Sequence, residues 1–182
     1  MRQHSKKIKQ TYHPTLKVVK GYKEQQADLS HLVDTAWTFA YSSLWNCSLF
    51  STKEIDAAKE SIREFLLLSK TPRTAFLSFC QRVLLARYYL DKGNILPSVW
   101  LDRKNGNGFA STKQWYNEIK TLRESLPHYK TEIKALAEAV LEYSEEPTPQ
   151  NFYYWKNYFI EKQTPGLLTL FQVYASNHLY AI

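Results

Sequence analysis

The sequence predicts an all-α fold, a single-domain helical bundle or orthogonal array of about seven helices, on three observations. Apolar residues recur at i, i+3, i+4 and i+7 through most of residues 28–182. The periodic segments are punctuated by helix-capping residues followed by proline, and by glycine with asparagine, so the connections are short. No internal repeat, low-complexity linker or shift in composition divides the chain. At 182 residues it is long enough to bury a core without disulfides or metals.

The first helix is expected from Asp28, with Leu29, Leu32, Val33, Ala36, Trp37, Ala40, Tyr41, Leu44 and Trp45 on its apolar stripe. His31, Asp34, Thr35, Thr38 and Ser42 form the opposite, polar face. Ser51-Thr52-Lys53-Glu54 is a capping box that opens a second helix, striped by Ile55, Ala58, Ile62, Phe65 and Leu66. That helix must stop before Thr71-Pro72, because the residue ahead of a proline is pushed out of helical geometry. Thr71 then caps a third helix with Pro72 as its first residue, Phe76, Phe79, Cys80, Val83, Leu84 and Leu90 as its core face, and Gly93-Asn94 as its end.

Between 95 and 110 the helical period vanishes. Asn105-Gly106 suits the positive φ angles of a tight turn, so one short hairpin or a structured loop is expected there. Helical spacing resumes at Trp115, Ile119, Leu122 and Leu126, is broken by Pro127, and continues through Ile133, Leu136, Ala137, Val140 and Leu141. Thr148-Pro149 repeats the cap-and-proline start, and the helix over 149–162 carries six aromatics in the eight positions Phe152 to Phe159. Such a helix is apolar nearly all round, so it belongs either at the centre of the bundle or in an interface. Thr164-Pro165-Gly166 separates it from a last helix with Leu167, Leu170, Phe171, Tyr174, Ala175 and His178 on one side.

Charge divides the chain more sharply than hydropathy does. Residues 1–23 hold Arg2, Lys6, Lys7, Lys9, Lys17, Lys20 and Lys23 and no acidic residue, so this basic N-terminal arm carries the whole net charge of +7. Residues 24–182, the helical domain, match 17 basic side chains with 17 acidic ones. Lysine, arginine and interleaved tyrosine neutralise phosphates and stack on bases, so the arm, with Arg103 and Lys104 of the glycine-rich loop, is expected to contact nucleic-acid phosphate. The third helix is no recognition helix: at about 100° per residue Arg82 lies opposite Arg73, and Arg87 falls among apolar positions, where it should bury its stem or pair with a carboxylate.

Chemistry-bearing patterns are missing elsewhere. Gly106-Asn107-Gly108 lacks the lysine and the strand-rich setting of a phosphate loop. The five histidines are isolated, with no His-x-x-x-His pair, and His178 alone falls on an apolar stripe, as a structural core histidine. Glu138, Glu142, Glu145 and Glu146 lie largely off the apolar stripe and read as a solvated acidic face. Cys47 and Cys80 read as reduced packing residues. No cofactor, metal site or catalytic residue is expected, and there is no secretory core or membrane span, which points to a cytoplasmic protein. The expected function is a non-enzymatic binding or regulatory module whose arm meets nucleic acid. The alternative is a protein–protein adaptor or homo-oligomer assembled through the aromatic helix, with Tyr153, Tyr154 and Tyr158 as interface residues.

Overall fold

The computed structural model describes residues 22–46, 49–91 and 128–181, with 120, 123, 124 and 126 between them. Arm residues 1–21, Cys47, the 95–110 segment with Arg103 and Lys104, and most of the helix expected near 111–126 lie outside the described residues. Of that last helix, Lys120, Arg123 and Glu124 have helical backbone.

The described residues form six helices and no strand: α1 (Tyr22–Leu44), α2 (Thr52–Leu66), α3 (Pro72–Asp91), α4 (Tyr129–Glu145), α5 (Pro149–Glu161) and α6 (Pro165–Ala181). The all-α class read from periodicity holds. No helix among the described residues is long and apolar enough to cross a membrane.

Local chemistry explains most of the boundaries. Ser51 Oγ accepts from the Glu54 amide at 3.1 Å, while the Ser51 amide donates to Glu54 Oε1 at 2.9 Å, which completes the capping box of α2. Thr148 Oγ1 accepts from the Asn151 amide at 3.2 Å and caps α5. Thr-Pro opens three helices rather than two, because Pro165 is the first residue of α6 as Pro72 is of α3 and Pro149 of α5. Between α5 and α6 the chain turns in a Schellman motif: the Thr164 amide donates to Phe159 O at 3.1 Å and the Gln163 amide to Ile160 O at 3.0 Å. Gln163 takes the left-handed position, φ 56°, where glycine is the usual occupant.

Two expectations about α1 are corrected. It begins at Tyr22, not Asp28, because Lys23 to Ala27 are strong helix formers that carry no apolar stripe and so leave no periodic signal. The last two residues of the basic arm therefore have helical backbone. Nor is its second face solvated throughout: Thr35, Ser42 and Ser43 are buried, because α1 packs against α2, α3, α4 and α6. Thr35 donates to His31 O at 2.9 Å and Ser42 to Thr38 O at 2.7 Å, so these hydroxyls satisfy themselves within their own helix.

One continuous core runs from Leu29, Val33 and Phe39 of α1 through Phe76, Phe79 and Leu85 of α3 to Leu136 and Val140 of α4 and Phe171 and Tyr174 of α6. Cys80 is fully buried within it, and desolvation pushes its thiol well above the ordinary range. Arg87 behaves as expected of a cation among apolar positions, pairing with Asp91 Oδ1 at 2.7 Å and donating to Ser43 O at 2.8 Å.

Candidate interaction site

The aromatic helix is at the edge of the fold, not its centre. Its principal neighbours are α4 and α6, and only Asn151, Trp155 and Phe159 of its thirteen residues are buried. Trp155 and Phe159 anchor it, and the Phe159 ring meets Phe171 of α6 at 5.9 Å between centroids while Phe152 stacks on Phe171 at 5.8 Å. Edge placement explains how a helix this rich in rings folds in water. Tyrosine tolerates partial exposure because one end of it is polar.

The expected interface tyrosines do not share one environment. Tyr153 is exposed, whereas Tyr154 and Tyr158 are half-buried. Burial and the nearby Glu138, Tyr154 and Glu132 all raise the Tyr158 phenol above its ordinary value, so this side chain faces the acidic side of α4. Tyr153 and Ile160, seven residues apart, lie on one outer stripe. Lys156 Nζ lies 5.7 Å from the Tyr153 ring and Lys162 Nζ 5.6 Å from the Tyr158 ring, within cation–π range.

Glu138, Glu145 and Glu146 are exposed, as expected of a solvated acidic face, while Glu142 is half-buried. Glu142 Oε1 accepts from the buried indole Trp155 Nε1 at 2.7 Å. Glu145 pairs with Arg73 of α3 at 2.8 Å, and Glu146 O accepts from Asn151 Nδ2 at 2.7 Å. Desolvation raises the Glu138 carboxyl above the usual range, Lys134 opposes that rise and Glu142 adds to it.

Folding also assembles a serine–histidine pair that sequence spacing could not reveal. His31 Nε2 of α1 is 3.2 Å from Ser144 Oγ of α4, 113 residues away along the chain. Ser144 Oγ already donates its only proton to Leu141 O at 2.7 Å, so His31 Nε2 carries a proton and donates to Ser144. A serine in that state accepts from its histidine, which is the reverse of an activated nucleophile. Beside it, the buried Tyr174 hydroxyl has Ser144 and Thr35 as polar neighbours yet makes no hydrogen bond of good geometry, and burial pushes its phenol up. No group of three or more His, Cys, Asp or Glu side chains converges among the described residues.

His178 completes this polar seam. Its ring stacks on Tyr174, centroids 5.8 Å apart, and meets Tyr143 edge-on at 5.5 Å, while its Nε2 is buried without a hydrogen bond. Burial, then the neighbouring His31, hold its pKa below the ordinary histidine value. The unfolded chain therefore takes up this proton first as pH falls, so stability is full above about pH 6.5 and declines below it. Urea midpoints at neutral and mildly acidic pH are expected to show this decline in the wild type and a flatter response in His178→Gln.

Of the residues expected to bind nucleic acid, Arg2, Lys6, Lys7, Lys9, Lys17, Lys20, Arg103 and Lys104 lie outside the described residues, as does the side chain of Lys23. No family model matches the chain, and neither a curated protein nor a solved structure is similar to it.

Proposed function

We propose that this protein is a non-enzymatic binding module that associates with a second copy of itself through the outer face of α5. One observation carries the reading: Tyr153 and Ile160 are 55% and 53% exposed on the same stripe of an edge helix. Two such helices packed antiparallel about a two-fold axis between Lys156 and Asn157 would set each Tyr153 against the partner helix's residue at position 160. Each Lys156 would face an asparagine, so the pairing opposes no like charges directly. Thirteen helical residues span about 20 Å, so the contact is small and the association weak and reversible.

Sedimentation velocity of the full chain over a concentration series is expected to show a rising weight-average coefficient. Tyr153→Asp combined with Ile160→Asp should weaken association at least about tenfold, by burying charge in the contact. A wild-type protein that stays monomeric at every concentration removes this reading.

The segregation of charge favours a second role. All of the net +7 belongs to residues 1–23, which suits an arm that lies along a nucleic-acid backbone without reading sequence. A cytoplasmic setting accords with both roles.

A further inference from the structure

The turn between α2 and α3 presents two neighbouring leucines to solvent, Leu67 at 56% and Leu68 at 55% exposure. Leu66 takes the core position at the end of α2 and is fully buried, which leaves the next two side chains outside the bundle. Their backbone is held in place, the Leu67 amide donating to Arg63 O and the Leu68 amide to Phe65 O, each at 3.1 Å. The pair is a fixed apolar tip, and taking it out of water is favourable. Lys70, in the same turn, is exposed.

Contacts between helices place this turn at the end of the fold where the basic arm joins. Lys59 of α2 pairs with Asp34 of α1 at 3.1 Å, whereas Phe50, ahead of α2, packs on Tyr41 and Trp45 at 6.3 and 5.7 Å, so α2 runs antiparallel to α1. From Lys59 to Leu67 is about 12 Å along a helix axis, which brings the leucines level with the first turns of α1. The direction of α3 agrees: Arg87 donates to Ser43 O near the far end of α1, while Arg73 pairs with Glu145, next to the Ser144 that meets His31. Because α1 starts at Tyr22, the seven cations of residues 1–23 belong to this same end. Asp28, Glu64 and Glu146 lie near it as well, and Lys70 with the cations of the arm outnumber them.

A nucleic-acid backbone would satisfy the cations and leave the leucines in water. An anionic lipid surface satisfies both, because its headgroups attract basic segments and its acyl boundary accepts apolar side chains. We infer that the fold docks by this end on an anionic lipid surface, with the arm along the headgroups and Leu67 and Leu68 entering the boundary with the acyl chains. No helix need cross the bilayer for this contact. A basic segment and a small apolar tip each hold a protein weakly, and the two together hold it well. The inference shares the arm with the nucleic-acid reading but not the leucines, and it does not rest on self-association through α5.

The test is flotation of the full chain with vesicles of phosphatidylcholine alone and of phosphatidylcholine with about one-third phosphatidylserine, which gives a negative surface potential. Binding is expected on the mixed vesicles and not on the neutral ones. Leu67→Ser combined with Leu68→Ser should weaken it at least about tenfold and leave duplex binding unchanged. Leu49→Ser, at the opposite end of α1 and 97% exposed, should leave vesicle binding unchanged. Replacing the basic residues of the arm by glutamine should lower binding to the level seen on neutral vesicles. Thermal melts establish that each variant is folded. Absence of binding to the mixed vesicles, binding undiminished by the double serine substitution, or an equal loss of duplex binding in that variant overturns the inference. A chain that binds duplex and not vesicles overturns it while leaving the nucleic-acid reading in place.

Discussion

Phe171→Ala is expected to destabilise the fold by about 3–5 kcal/mol, the largest single-residue effect foreseen for this chain. Phe171 is fully buried on α6, where its ring meets Tyr143 of α4 at 6.0 Å as well as Phe152 and Phe159 of α5. Truncation removes the apolar transfer term and leaves a cavity at the meeting point of three helices, which rigid helical backbones cannot collapse to fill. Denaturant unfolding followed by circular dichroism measures it, with the slope checked so that the midpoint shift reports stability. Tyr153→Ala, on the exposed side of α5, should change stability by under about 0.5 kcal/mol in the same experiment. If the two substitutions cost the same, α5 does not dock on α6 as described.

The second large effect is electrostatic. If all seven arm cations meet phosphates, log K for a generic duplex should fall against log salt with a slope of about −6, so affinity drops by about three orders of magnitude or more between 50 and 200 mM salt. Substituting Arg2, Lys6, Lys7, Lys9, Lys17, Lys20 and Lys23 by glutamine in the full chain should abolish nearly all of this dependence. The domain that remains is neutral by composition. Retention of a steep slope by the substituted chain would move the contact elsewhere, first to Arg103 and Lys104. Single-stranded probes run alongside report whether Tyr12 and Tyr22 add base stacking, since stacking contributes affinity that salt does not remove.

The helical class was legible because each stripe and each cap is a local signal. Ser51 with Glu54, Thr71-Pro72 and Thr148-Pro149 act within four residues, and they place helix starts where the structure has them. Less could be read where the deciding partner lies on another helix. Glu142 looks solvated until Trp155 is seen donating to it, and Thr35 looks exposed until α1 is surrounded. The pairing of His31 with Ser144 spans 113 residues, and no spacing rule reaches that far. The aromatic helix gave the opposite difficulty, since six rings in eight positions suit burial and contact equally. Helix packing, which is non-local, put it at the edge.

The enclosure of α1 has a consequence for how the chain reaches its fold. Asn177 of α6 donates to Ser42 Oγ at 2.7 Å and to Asn46 Oδ1 at 2.9 Å, and Phe39 meets Tyr174 edge-on, so the first described helix is closed over by the last. During synthesis α1, α2 and α3 can pair while one apolar flank of α1 stays bare, and that flank finds cover only once α6, Pro165–Ala181, has emerged. A nascent chain stalled before α6 would lack the cover that Tyr174 gives Phe39, a ring that the folded protein hides completely. Folding of this domain is thereby tied to the arrival of its final helix, and the nascent chain is most exposed to misassociation just before that helix appears.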